Sequence, residues 1–129
     1  MDIEQRHSRI SQSSFAAVLL AGALYFVLSW ACIELARVSG EGNVAFLWLP
    51  NAAGIALLVR HSPRLTPWLL LSMWIGNAVS NMIYGDHFPM VAALSGVNSM
   101  EMALASRLVK RQVGAIASSL TVSAALKIL

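Results

Sequence analysis

The sequence predicts an all-α integral membrane protein: a bundle of about four transmembrane helices with both termini in the cytoplasm. Hydrophobic residues make up 57% of the 129-residue chain and charged residues only 12%, about half the charged share of a soluble domain. The apolar residues form four runs, and these runs lack the polar stripe that a soluble amphipathic helix shows at every turn. The length allows one domain.

The four runs predict spans of about 15–33, 44–59, 67–84 and 88–106. A spanning helix needs roughly 20 mainly apolar residues. The second and third runs are shorter, so we expect their polar flanks to lie close to the headgroups. Residues 1–14 are then a cytoplasmic tail, and residues 112–129 are a cytoplasmic connector or the start of a missing fifth span.

The basic residues predict the orientation. Eight of the nine Lys and Arg residues flank the spans on one side, which the positive-inside rule assigns to the cytoplasm. Arg37 is the exception and lies on the other side. Because they are dispersed over short loops, they predict binding to the lipid bilayer and not to nucleic acid. We expect a cytoplasmic hinge and membrane anchors that contact anionic headgroups, formed by Arg60, His61, Arg64, Arg107, Lys110 and Arg111.

Several short motifs occur in a defined order. From Leu47 the chain reads LWLPNAAGIALLVRHSPRLTP, followed by Gly76-Asn77, by Asn98-x-x-Glu101 and by the basic segment 108–111. This order resembles the membrane-associated sensor domain of the first MASE class, over roughly residues 26–127. The chain departs from the family pattern at Leu49, Ala52 and Thr66, where members often carry Pro, Gly and Trp.

The resemblance implies a sensory input module of the bacterial inner membrane. Such domains are fused to diguanylate cyclases, phosphodiesterases or histidine kinases, which implies cyclic-di-GMP or phosphorelay signalling. The chain itself is then not an enzyme, and its stimulus and ligand are unknown. Family domains have about eight spans, so we expect a truncated first half without an output domain. It would form a homo-oligomer or associate with a second half or a full-length sensor.

Two other interpretations stay open. A small four-span transporter subunit that dimerises has a similar length and uses a membrane-embedded carboxylate. Such subunits typically carry it in the first span, whereas Glu101 lies in the fourth. The other alternative is a non-functional fragment of an interrupted gene.

Polar residues within the spans are the candidate site. They are Asn51, Asn77, Asn81, Asn98 and Glu101. Asn98 and Glu101 are three residues apart and Asn77 and Asn81 four, so each pair shares a helix face. Since lipid offers no hydrogen-bond partner, we expect these groups to face the interior and bind one another. They are either structural contacts that fix helix register or a ligand or proton site. We expect Glu101 to be neutral, bonded to amides or paired with a cation.

Other residues predict packing. Pro50 predicts a kink or a broken first turn in the second span. Small residues predict close helix contacts along Ser72, Gly76 and Ser80, and again at Ala92 and Gly96. Glu34 and Arg37 are expected to pair. No metal or cofactor motif occurs: Cys32 is a lone cysteine, and His61 and His87 lie on opposite sides of the membrane.

Overall fold

Four helices make up the part of the chain that the structure describes, and no strand occurs in that part. The computed structural model describes residues 3–40 and 48–126, with side chains for residues 14–40 and 48–114. The helices are α1 (Ile3–Val38), α2 (Leu49–Arg60), α3 (Thr66–Ile83) and α4 (Phe88–Leu126). The predicted all-α class is therefore confirmed.

Glycine and proline mark the helix boundaries. After α1, Gly40 has a φ of 81°, and after α3, Gly85 has a φ of 89°. Side chains disfavour this left-handed conformation, so glycine commonly follows a helix C-terminus. Pro50 and Pro67 lie in the first turns of α2 and α3. The N–H groups of the first turn have no hydrogen-bond partner within the helix, so proline, which lacks an N–H, is tolerated there.

The helix lengths differ from the predicted spans. Because α2 begins at Leu49, Pro50 lies in the first turn of this helix and does not kink it. The 12 residues of α2 cover about 18 Å, and residues 44–47 of the predicted second span lie outside the described residues. In contrast, α1 and α4 have 36 and 39 residues. Residues 3–14 and 107–126 are therefore helical as well.

The helices pack in a ring. α1 packs along α3 and against α2, while α4 packs against α2 and α3. Within the described residues, α1 and α4 do not meet. The enclosed core is a cluster of large side chains contributed by all four helices, formed by Tyr25, Leu58, Leu69, Met73 and Met102. Gly54 lets α2 approach this core, because a Cβ at that position would overlap the Met102 Sδ.

Two glycines allow α1 and α3 to cross closely. A Cβ on Gly76 would lie 2.5 Å from the Gly22 carbonyl oxygen, and one on Gly22 would lie 2.9 Å from the Ser72 carbonyl oxygen. Real Cβ atoms do not approach that closely, so only glycine fits. The predicted close contact at Gly76 is confirmed. The same prediction for Gly96 on α4 is wrong: a Cβ there would meet nothing within 4 Å.

The surface of the bundle is rich in exposed large apolar side chains, including Leu20, Trp68 and Val97. One stretch, Ser14–Val38, is long and apolar enough to cross a membrane by length and composition. Only 28% of its most apolar window is buried, which is too little for the core helix of a soluble protein. Leu49–Arg60 is also apolar but is shorter than a span requires.

Gly76 and Gly96 provide a matched test of this packing. We expect Gly76→Ala to lower the free energy of unfolding by about 1–3 kcal/mol, because the new methyl group must push α1 away from α3. Gly96→Ala should be neutral or raise stability by up to about 1 kcal/mol, because alanine favours helix and has room there. Thermal unfolding in lipid nanodiscs, followed by tryptophan fluorescence, measures both. Equal stability of the two variants would contradict the close α1–α3 crossing.

Candidate functional site

Asn51 connects three helices through its side-chain amide. It lies one residue after Pro50, in the first turn of α2, and is 7% exposed. Its Oδ1 accepts hydrogen bonds from Tyr25 Oη at 2.5 Å and from Trp48 Nε1 at 3.1 Å. Its Nδ2 donates to Glu101 Oε2 at 2.5 Å and, more weakly, to Asn98 Oδ1 at 3.5 Å. All four hydrogen-bonding positions of the amide are therefore used.

Trp48 determines which way this amide points. An indole N–H can only donate, so the atom of Asn51 that faces Trp48 must be the oxygen. The Tyr25 hydroxyl donates to the same oxygen. The Asn51 NH₂ group consequently faces α4, where Asn98 and Glu101 present oxygen atoms. Because these two residues are three positions apart on one helix, a single amide can reach both.

The network runs from the core to the surface. Tyr25 is buried, Asn98 is half-buried and Glu101 is exposed. One Glu101 oxygen binds Asn51 inside the bundle, while the side chain as a whole reaches the outer surface of α4. We call Tyr25, Trp48, Asn51, Asn98 and Glu101 the Asn51 network. Glu101, at its acceptor end, is the member of the network on α4 that is exposed at the surface.

Asn77 and Asn81 form a second, separate cluster. Asn77 is 1% exposed, and its Nδ2 donates to Ser95 Oγ on α4 at 3.0 Å. Asn81 Nδ2 donates to the Asn77 carbonyl oxygen at 2.8 Å and to Asn77 Oδ1 at 3.0 Å. Among the hydrogen bonds of the described residues, none joins this cluster to the Asn51 network. The five predicted residues thus divide into two groups, and their sensing role stays a prediction.

The predicted basic residues gather at one end of the bundle. Lys110 Nζ of α4 donates to the His61 carbonyl oxygen at 3.0 Å. This bond satisfies a carbonyl at the C-terminus of α2, where a cation also interacts favourably with the helix dipole. The four remaining predicted side chains are exposed to the surroundings, namely Arg60, Arg64, Arg107 and Arg111. They are free to contact anionic headgroups, as anchoring requires.

A polar contact closes the opposite end. Arg37 Nη1 lies 3.6 Å from Glu34 Oε2, which confirms the expected pair. Tyr84 Oη, at the end of α3, donates to the same carboxylate at 2.8 Å. The Arg37 guanidinium also lies 5.0 Å from the centre of the Tyr84 ring, within the range of a cation–π contact. These contacts join the ends of α1 and α3.

Sequence reasoning missed Tyr25, Trp48 and Ser95 as members of the polar clusters. Tyr25 is the only tyrosine within the first apolar run, and a buried tyrosine hydroxyl usually has a partner; that signal was available. In the part of the chain that the structure describes, no group of three or more His, Cys, Asp or Glu side chains is placed to hold a metal ion.

A family model described as MASE1 matches residues 17–127. No curated protein and no solved structure matches the chain. The matched range includes all of the Asn51 network and the Asn77 cluster. It also covers the ordered sequence motifs and most of the four helices. The chain belongs to the MASE1 family of membrane-associated sensor domains.

Proposed function

We propose that this chain is a multi-pass sensory input module of the bacterial inner membrane, without catalytic activity of its own. It would control an output domain in cyclic-di-GMP or histidine-kinase signalling. The observation that carries the proposal is the Asn51 network. It connects the start of α2 to α4, and α4 continues as one helix to Leu126. A change at one end of the network therefore reaches a rigid element that leaves the bundle.

The ends of the bundle support a cytoplasmic location for both termini. The bond between Lys110 and His61 holds the C-terminal end of α2 beside α4. Exposed arginines surround this point. At the opposite end, Arg37 is the one Lys or Arg side chain among the described residues, and it pairs with Glu34. Cationic loops are retained on the cytoplasmic side during insertion, so this asymmetry supports an outer N-terminus and an inner C-terminus for α4.

The network offers a mechanism for sensing. If a ligand or a movement of the outer segment draws Trp48 away, the Asn51 amide loses the one partner that can only donate. The Tyr25 hydroxyl can accept as well as donate, so the amide is then free to turn. Once the amide turns, its NH₂ group no longer donates to Glu101 and Asn98. An unpartnered carboxylate within lipid costs roughly 2–3 kcal/mol or more, so α4 must rotate or shift to find another partner. Coupling of this size, about 1–3 kcal/mol, is typical of allosteric proteins.

The Asn77 cluster supports a different role for α3. Its hydrogen bonds are internal to α3 and the facing Ser95, and the glycine crossing holds α3 tightly to α1. These contacts involve no exposed ionisable group. We therefore propose that the Asn77 cluster has a structural role and that α3 is a fixed support against which α4 moves.

The proposed topology is tested by reporter fusions at two positions. Green fluorescent protein joined after Arg111 should fluoresce, and alkaline phosphatase joined after Gly85 should be active, because these sites lie on opposite sides of the membrane. The reciprocal fusions, with the two reporters exchanged, are the controls and should be silent. Phosphatase activity after Arg111 would reverse the topology.

The proposed sensing role is tested by joining a diguanylate cyclase domain after Lys127 and measuring cyclic-di-GMP in cells. Asn51→Leu and Glu101→Leu should change the output by about fivefold or more, since each removes the link between α2 and α4. Met100→Leu is the matched control, because it conserves side-chain volume at an exposed position one residue from Glu101. Output is normalised to the amount of each variant in the membrane.

Glu101→Gln separates signalling from structural support. Glutamine keeps an acceptor oxygen for Asn51, so the thermal stability of the bundle should stay near that of the parent. If the carboxylate itself is sensed, the cyclic-di-GMP output still changes. Network variants that alter stability but leave the normalised output at the level of Met100→Leu would show that the network is structural only.

A further inference from the structure

The outer face of α4 carries a regular stripe. Its residues recur at alternating intervals of four and three: Met90, Leu94, Val97, Glu101, Leu104 and Leu108. The structure leaves all of them exposed; Val97 is 62% exposed and Leu104 58%. A repeat of this kind keeps one seam of a helix in contact with a second helix that has the same repeat. Among the described residues, no other helix covers this seam.

The stripe is as long as a bilayer is thick, and a carboxylate lies within it. From Met90 to Leu108 the helix rises about 27 Å, close to the roughly 30 Å of a hydrocarbon core. Glu101 lies about 16 Å along the stripe from Met90, with apolar stripe residues on both sides. Lipid would accept the apolar residues of this face but not the exposed carboxylate. Arg111 follows Leu108 by three residues, and its long cationic side chain can reach the headgroups.

Polar atoms on the stripe and directly beside it complement a second copy of themselves: Glu101 lies on the stripe, and the half-buried Asn98 follows Val97 at its edge. Asn51 binds one oxygen of Glu101 and, weakly, the Asn98 oxygen. Among the described residues, Glu101 Oε1 and Asn98 Nδ2 have no hydrogen-bond partner. Glu101 Oε1 is an acceptor and Asn98 Nδ2 is a donor. Side chains on a helix lean toward its N-terminus, so Glu101 reaches toward the level of Asn98. Two parallel α4 helices can therefore exchange an amide-to-carboxylate bond in each direction.

We infer that the occupant of this face is a second copy of the same chain, which packs parallel to the first along the α4 stripe. Copies inserted in the same orientation bring α4 to α4 in parallel, as the heptad spacing requires. The contact is isologous, with each surface meeting its equivalent across a two-fold axis. The inference depends on the exposed face of α4 and not on the proposed sensing role.

Disulfide cross-linking in native membranes tests the interface. In a Cys32→Ala background, single cysteines are introduced on the stripe by Val97→Cys and Leu104→Cys. The matched controls are Gly96→Cys and Ala103→Cys, which lie at neighbouring depths on the other side of α4. Mild oxidation should give dimers at the stripe positions several-fold faster than at the controls. Equal rates on both sides, or faster dimer formation at Gly96 and Ala103, would overturn the proposed face.

A second measurement tests the polar contact. Two differently tagged copies are coexpressed in membranes, and their association is followed by fluorescence energy transfer as a function of density. Glu101→Leu should weaken association by roughly tenfold, the combined effect of two interhelical hydrogen bonds in lipid, whereas Glu101→Gln should retain most of it. Absence of transfer by the parent chain at all densities would overturn the dimer. Unchanged association of Glu101→Leu would overturn the role of the carboxylate. Because neither readout measures signalling, failure here is distinguishable from failure of the proposed function.

Discussion

Lipid provides no hydrogen-bond donors or acceptors, so the polar side chains of a membrane bundle depend on partners within protein. Asn51 meets that requirement completely. Its oxygen accepts from Tyr25 and Trp48, and its nitrogen donates to Glu101 and Asn98. An amide is the only neutral side chain that can accept two bonds at one atom and donate two at another. This property lets a single residue connect α1, the start of α2 and α4.

The two halves of the ring are held by different forces. α1 and α3 meet through glycines at backbone distance, where close packing leaves no alternative arrangement of similar energy. α2 and α4 meet through Gly54 and Met102 and through hydrogen bonds of the Asn51 network. Hydrogen bonds can be exchanged for others at modest cost in lipid, and methionine is a flexible side chain. Movement is therefore expected between α2 and α4 and not between α1 and α3.

The class of fold and the identity of most polar residues could be predicted from the sequence, because composition and apolar runs report directly on the solvent around a helix. Helix ends were harder to predict. Pro50 is compatible with a kink or with a helix start, and only the position of Leu49 decides between them. The grouping of the asparagines also depends on which helices are neighbours. Asn77 faces Ser95 and Asn51 faces Glu101, a pairing that depth along the membrane normal does not determine. Gly96 shows the same limit: a small residue permits a contact but does not identify the helix that makes it.

Glu101 has a geometry that an interior structural residue does not need. One of its oxygens is held by Asn51 inside the bundle, while the other has no partner among the described residues. A glutamine would provide the acceptor for Asn51 at lower cost in lipid, so the inner contact alone does not explain a carboxylate. Its second oxygen is a strong acceptor directed at whatever covers α4. Because both oxygens belong to one rigid group, a change in the orientation of Asn51 must alter the outer acceptor as well. In the proposed dimer, the same side chain would couple the interior of a protomer to its neighbour, and the long α4 helix would transmit the change toward the basic end of the bundle.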